Sequence, residues 1–231
     1  MTKATALAWL KRHGTQRNVL GMARYGIVAK KAFGVSMAAL ASLTKQTGKD
    51  HKLAVELWKT GWHEAKALAS LIDDPLLVTP RQMDAWASSF ENWADCDTAC
   101  FKLFDQTPYA YDKARQWAAS PREFVRRGGF ALMASLALHD KKAPDSKFVS
   151  FFRLIEKGAR DERNFVKKGV SWALRGIGHR SRPLLAKSVA LAKKLAARED
   201  APSRWVGKDV LRDLDRPMVQ ARAARREHKS K

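Results

Sequence analysis

The segment 93–104 places a carboxylate beside an indole. Asp97 follows Trp93 by one helical turn, at the margin of an apolar stripe made of Trp93, Cys96, Cys100, Leu103 and Phe104. A carboxylate on such a margin is normally hydrogen-bonded, paired or used in chemistry, so Asp97 and Trp93 are candidate catalytic residues. Two plainer interpretations stay open. Asp95 or Asp97 is an acid favoured by the helix dipole, or it is the partner of a buried arginine.

A second indole lies on a basic helix face. In the helix expected over 162–179, one stripe is apolar and a second carries Lys168, Trp172, Arg175 and His179. An aromatic plate among cations suits a sugar–phosphate strand or a nucleobase. One repeat earlier Arg127 takes the place of Lys168, next to Arg126, so the pattern predicts a basic groove for nucleic acid. The alternative is that Trp172 packs against the adjacent repeat.

The charge of the chain also indicates a polyanionic partner. The 231 residues include 44 Lys and Arg against 23 Asp and Glu, a net charge of +21, while 45% of the residues are hydrophobic. Such a chain can bury a core, and its charge attracts nucleic acid first and an anionic membrane surface second. The charge is uneven: residues 1–50 are strongly basic, whereas residues 51–100, which hold Trp93 and Asp97, are net acidic.

Several classes of protein are excluded by pattern. No apolar run approaches the ~18 residues of a transmembrane helix, and the N-terminal run is too short for a secretory signal. Cys96 and Cys100 are interpreted as small core residues, and no Cys/His set has zinc-ligand spacing. We therefore expect a soluble cytoplasmic protein with no metal, no cofactor and no membrane contact.

The elements that must position these residues are helices. Ala, Leu, Lys and Arg dominate, and apolar residues recur at spacings of three to four. Helix starts are expected at Thr79-Pro80 and Ser120-Pro121, where a capping hydroxyl precedes a proline. The predicted helices cover 4–13, 35–47, 50–60, 62–73, 80–91, 93–104, 109–119, 121–138, 145–158, 162–179, 183–198 and 203–213.

An internal repeat organises the helices. The segment 123–132 aligns with 164–173 at an offset of 41, which lies within the ~40–47 residues of HEAT and armadillo repeats. We predict an all-α superhelical solenoid of antiparallel helix pairs, with an ordinary helix bundle as the alternative. Residues 1–215 are expected to form a single domain, and 216–231 a basic, flexible tail.

Together these segments resemble the AlkD-type DNA alkylation repair enzymes, which are HEAT-like-repeat alkylpurine DNA glycosylases. The similarity covers roughly residues 20–200. It is carried by the blocks Met22–Tyr25, Leu57-Trp58, Glu64–Lys66, Trp93–Asp97, Phe124–Arg127 and Phe165–Arg175. It departs at Asn92, where members commonly have a second aromatic residue, in the long loop 139–146, and at Gly128-Gly129.

The resemblance implies excision of cationic 3-methyladenine and 7-methylguanine from double-stranded DNA, the first step of base excision repair. Trp93 and Trp172 match the aromatic pair at the lesion, Asp97 the catalytic carboxylate, and Arg127 the arginine beside the lesion's backbone. It also implies an open face without a deep purine pocket, and a monomer associated with the bacterial nucleoid. A non-catalytic DNA- or RNA-binding relative and a protein–protein scaffold are the competing hypotheses.

Overall fold

The computed structural model describes residues 1–221, and every regular element among them is helical. In chain order the α-helices are α1 (Lys3–His13), α2 (Gln16–Arg24), α3 (Met37–Thr47), α4 (His51–Trp58), α5 (His63–Ile72), α6 (Pro80–Ser88), α7 (Trp93–Lys102), α8 (Ala110–Ala118), α9 (Glu123–His139), α10 (Asp145–Val149), α11 (Phe152–Gly158), α12 (Asn164–Gly178), α13 (Arg182–Ala196) and α14 (Ala201–Leu214). A short 3-10 helix covers Phe104–Gln106. The predicted all-α class is confirmed.

The predicted helices differ from the structure at several places, and α6, for example, ends at Ser88 rather than at 91. Helix α2 was missed, and the helix expected over 145–158 is divided into α10 and α11. The backbone N–H of Phe151 bonds to the carbonyl of Phe148, and this tight turn buries both rings. The helix expected from Pro121 begins at Glu123 instead, and the Ser120 hydroxyl accepts the N–H of Arg122. The Thr79 cap of α6 is present as predicted.

The chain divides into two compact units, unit 1 (Met1–Tyr109) and unit 2 (from Ala110 onward). The single domain proposed for 1–215 and the flexibility of the tail stay predictions. Residues 217–221 are helical. The rest of that tail lies outside the described residues.

In unit 2, α9, α12 and α14 form one layer. Helices α9 and α12 begin at Glu123 and Asn164, so the offset of 41 read from the sequence is the true repeat. A Cβ added to Gly176 would lie 3.4 Å from the Cα of Ala134, so the backbones of α9 and α12 approach closely at this position. On the other side of α12, the Ser171 hydroxyl donates to Asp209 of α14 at 2.6 Å. Each stacked helix therefore buries a face of its neighbour.

The helix pairs of unit 2 cross at a glycine–alanine contact that occurs twice. A Cβ on Gly129 would lie 2.3 Å from the backbone nitrogen of Ala118, and one on Gly207 would lie 2.3 Å from that of Ala196. Ordinary contacts are above 3.4 Å, so only glycine fits either crossing. Gly129 therefore belongs to the packing of α8 on α9, although glycine is a poor helix former.

In unit 1, α4 packs on α5 and α5 on α7. A buried aromatic stack joins α4 to α6, where the ring centroids of Trp58 and Trp86 are 3.9 Å apart, and Trp86 also lies 5.9 Å from Phe104, just after α7. This packing fixes α7, the helix that carries the candidate catalytic residues.

Candidate active site and nucleic-acid interface

Helix α7 holds Trp93 and Asp97 one turn apart. Asn92 caps the helix, because its side-chain oxygen accepts the N–H groups of Ala94 and Asp95, each at 3.0 Å. Trp93 is half-buried, and its indole Nε1 donates to the backbone carbonyl of Tyr25 at 2.9 Å. Asp97 is also half-buried. The Asn92 cap thus fixes the first turn of the helix that carries Trp93 and Asp97.

Asp95 is a separate, buried acid whose partners are now known. Its Oδ1 accepts from His63 Nδ1 at 2.7 Å, and its Oδ2 accepts from Lys66 Nζ at 3.0 Å. Burial alone would raise the pKa of Asp95, but the hydrogen bond from His63 and the charge of Lys66 together lower it. The alternative in which Asp95 pairs with a buried arginine is therefore wrong, because its partners are this lysine and histidine of α5.

A cavity of about 1000 Å³ opens beside Trp93 within unit 1. Its lining includes Tyr25 on one side and His63 on another. Asp97 does not line this cavity, so the open face that the resemblance implied for the reaction stays a prediction. The role of His63 was missed because its partner Asp95 lies 32 positions away. The resemblance includes Tyr25 but implies no role for it. The Tyr25 side chain is 74% exposed and lines the same cavity as Trp93.

Glu64 lines this cavity and accepts hydrogen bonds from the backbone before α3. One carboxylate oxygen accepts the N–H of Gly34 at 2.6 Å, and the other accepts that of Phe33 at 2.8 Å. The side chain is buried, so these bonds satisfy a charge that would otherwise destabilise the fold. Glu64 thus anchors the chain that leads into α3.

In unit 2, Trp172 lies on α12 with part of its predicted stripe. The half-buried indole, Arg175 and His179 line a second cavity of about 240 Å³ together with Lys141. His179 Nε2 donates to Asp213 at 2.7 Å, and Arg175 lies 4.0 Å from the same carboxylate. Two of the expected phosphate-binding cations are thus partly neutralised by an acid of α14. Lys168 is exposed.

The arginines of α9 are placed differently from the prediction. Arg127 is only 7% exposed, and its guanidinium donates to the backbone carbonyl of Phe165 at 2.6 Å. Arg126 is paired with Asp161 at 3.2 Å. The expected open, basic position at Arg127 is thus corrected: the side chain fills the contact between α9 and α12, where Gly169 leaves room for it.

Each unit brings together its own part of the predicted site. Unit 1 has Trp93 and Asp97, and unit 2 has Trp172 with Arg175 and His179. Within residues 1–221, no three His, Cys, Asp or Glu side chains are grouped so that they could hold a metal ion. None of the helices in that range has both the length and the apolar character needed to cross a bilayer.

The comparisons with known proteins agree with the fold. A solved structure described as a new family of proteins related to the HEAT-like repeat DNA glycosylases, with affinity for branched DNA structures, superimposes with a TM-score of 0.76. It is 21% identical, and the match covers 92% of this chain and 95% of that one. No curated protein matches the sequence. The family model described as DNA alkylation repair enzyme matches residues 6–205, and this chain therefore belongs to that family.

Proposed function

We propose that this protein is a monofunctional DNA glycosylase that hydrolyses the N-glycosidic bond of cationic N-alkylated purines in double-stranded DNA. Its substrates are 3-methyladenine and 7-methylguanine, and its reaction begins base excision repair. The observation that supports this most is the pair on α7, where a half-buried Asp97 follows the half-buried Trp93 by one turn. The protein acts as a monomer on chromosomal DNA in the cytoplasm.

The chemistry needs no general acid. An N-alkylated purine already carries a positive charge, so it leaves as a neutral base when the bond to C1′ breaks. The sugar then carries the positive charge, and a fixed carboxylate stabilises it increasingly as it develops. Asp97 fills this role and orients the water that attacks C1′, which gives an abasic sugar and a released proton.

The indoles bind the cation before it leaves. The face of an indole attracts a cation by ~0.5–2 kcal/mol, so Trp93 and Trp172 both favour the alkylated base over a neutral one. Trp93 is held in a fixed orientation by the Tyr25 carbonyl at 2.9 Å. A preset indole loses little conformational entropy when the lesion arrives.

The cations of unit 2 hold the DNA backbone. Lys168 is exposed and serves as a direct phosphate contact, while Arg175 and His179 contribute through the net charge around Trp172. Arg126 and Arg127 act from within the packing of α9, and Arg127 positions the start of α12 through the Phe165 carbonyl. This modifies the direct backbone contact that the resemblance implied for Arg127.

Release of bases from methylated duplex DNA tests the proposal. The expected result is time-dependent release of 3-methyladenine and 7-methylguanine, separated by chromatography, at a rate above that of buffer. Release that does not exceed the spontaneous rate for either base contradicts the proposal.

A second candidate is a DNA-binding protein without excision activity. It is favoured by the affinity for branched DNA that describes the structural neighbour, and by the internal engagement of Arg127. It predicts tighter binding to a three-way junction than to a linear duplex, with no base release. The two assays together separate the candidates.

A further inference from the structure

The cavity of unit 1 is large enough to hold a small ligand. Its volume of about 1000 Å³ is at the upper end of the range for small-ligand sites, which is about 300–1,000 Å³. Most of its wall is apolar, formed by residues such as Met22, Ile27, Val35, Met37 and Leu40. Only the indole of Trp93 is shared with the proposed reaction.

His63 supplies a directed polar group in this wall. Its Nδ1 donates to Asp95, which is buried, so the ring is fixed and the neutral form carries its proton on Nδ1. The second ring nitrogen, Nε2, forms no hydrogen bond within residues 1–221. A neutral Nε2 is a hydrogen-bond acceptor, and it suits an amino group such as the exocyclic amine of adenine.

Two arginines of α2 lie at the same cavity. Arg17 and Arg24 are exposed, both line it, and neither is paired with a carboxylate in the described part of the chain. Helix α2 itself contributes no buried residue. The cavity therefore combines apolar and aromatic walls, one oriented acceptor and cations that suit a phosphate.

We propose that this cavity binds the base of an unpaired purine nucleotide of the bound DNA. The base lies against Trp93 and the apolar wall, its amine donates to His63 Nε2, and the flanking phosphates contact Arg17 and Arg24. A base that is already unpaired or damaged enters at the lowest cost, because no stable pair is broken. A purine offers a larger stacking surface than a pyrimidine.

Three DNA duplexes test this binding mode with the full chain. One is fully paired, one has a single extra adenosine, and one has an abasic spacer at the position of that adenosine. The spacer bends the duplex without offering a base. We expect binding to the adenosine bulge to be about tenfold tighter than to either of the others. Equal affinity for the adenosine and the spacer bulges overturns the proposal.

A matched pair of variants on α2 locates the base. Gly21 lines the cavity, and a Cβ added there would meet no atom within 4 Å, so the side chain of Gly21→Phe starts in open space. Ala23 lies on the same helix but not in the cavity lining. We expect Gly21→Phe to abolish the preference for the adenosine bulge and Ala23→Phe to keep it. A folded Gly21→Phe protein that keeps the preference contradicts the proposed location.

His63→Phe gives a second readout if Gly21→Phe does not fold. It keeps the ring but removes the acceptor, so the preference for adenosine over a purine without the amine is expected to disappear. A retained amine preference contradicts the role of His63. None of these duplexes carries a cationic base, so the result does not depend on excision. Failure of the proposed glycosylase activity would leave it unchanged.

Discussion

The two units contain the same histidine–aspartate hydrogen bond at different depths. His63 donates to Asp95 in unit 1, and His179 donates to Asp213 in unit 2, both at 2.7 Å. Each pair links two packed helices, α5 with α7 and α12 with α14. The pair of unit 1 is buried and joined by Lys66, whereas the His179 side chain is 35% exposed.

This difference in burial changes how much each histidine–aspartate pair contributes to stability. In unit 1 the charges are removed from water, so losing one partner strands the others and the geometry of α7 is tightly constrained. In unit 2 Asp213 is also buried, but the His179 side chain is 35% exposed, so water screens this pair more than the pair of unit 1. The histidine–aspartate pair of unit 1 constrains the helix that carries Trp93 and Asp97, while that of unit 2 lies beside Trp172.

The largest expected effect breaks the buried pair. Lys66→Met leaves Asp95 without its ammonium partner, and we expect the free energy of unfolding to fall by about 3–5 kcal/mol. His179→Gln should lower it by no more than about 1 kcal/mol. Urea denaturation at neutral pH measures both. Similar losses in the two variants would end the distinction between the units.

The next effect concerns the rate of excision. Asp97→Asn keeps the shape of the side chain but removes the charge that stabilises the sugar cation, so base release should slow by about 10²–10³-fold. Binding to methylated DNA should persist. Asp112→Asn, a change at a side chain that is 89% exposed, is the control and should release bases normally. Near-normal turnover in Asp97→Asn removes Asp97 from its role.

A smaller expected effect is the pH dependence of stability, which has opposite signs for two acidic residues of unit 1. The pKa of Asp95 is lowered below its ordinary 3.8, so its ionisation stabilises the fold above that value, and this contribution is lost as the pH falls through the lowered pKa. Burial raises the pKa of Asp73 despite its bond from His51, so ionisation of Asp73 opposes folding as the pH rises.

The variants Asp95→Asn and Asp73→Asn test these signs. The stability difference between the unmodified protein and Asp95→Asn should grow as the pH rises from the acid range, and the difference for Asp73→Asn should shrink. Denaturant unfolding at a series of pH values measures both. Changes in the same direction contradict the assignment.

The smallest expected effect is on the salt dependence of DNA affinity, measured for two cations of unit 2. Lys168→Gln should reduce the slope of log affinity for DNA against log salt by about one. Arg175→Gln should reduce it by less, because Asp213 lies 4.0 Å from its guanidinium and already offsets its charge. Lys194, which is 2.8 Å from Glu156, is the control. A larger change for Arg175 than for Lys168 contradicts this ranking.

The stripe of α12, which includes Val166 and Val170, is buried as predicted. Helix α2 also carries sequence signals, a Thr15 cap and an amphipathic pattern, and the prediction overlooked them. Its lack of buried residues could not be read from that pattern. The offset of 41 was readable because it repeats core positions.

The site was predictable in its residue types but not in its partners. The pairing of Trp93 with Asp97 follows from helical spacing alone. The partners of Asp95 come from α5, and only the tertiary fold brings His63 and Lys66 to it. Likewise a helical wheel gives the direction of Arg127 but not the helix that covers it, so its burial against Phe165 was not foreseen.

The glycine–alanine crossings of unit 2 have a consequence for protein engineering. Gly129 meets Ala114 and Ala118 in the way that Gly207 meets Ala192 and Ala196, and all three positions are displaced by the same 78 residues. The sequence therefore contains the same three-residue glycine–alanine contact twice. Placing one glycine and two alanines at these positions in a designed helix pair should reproduce the same crossing. The number of helix pairs could then be changed without redesign of the core.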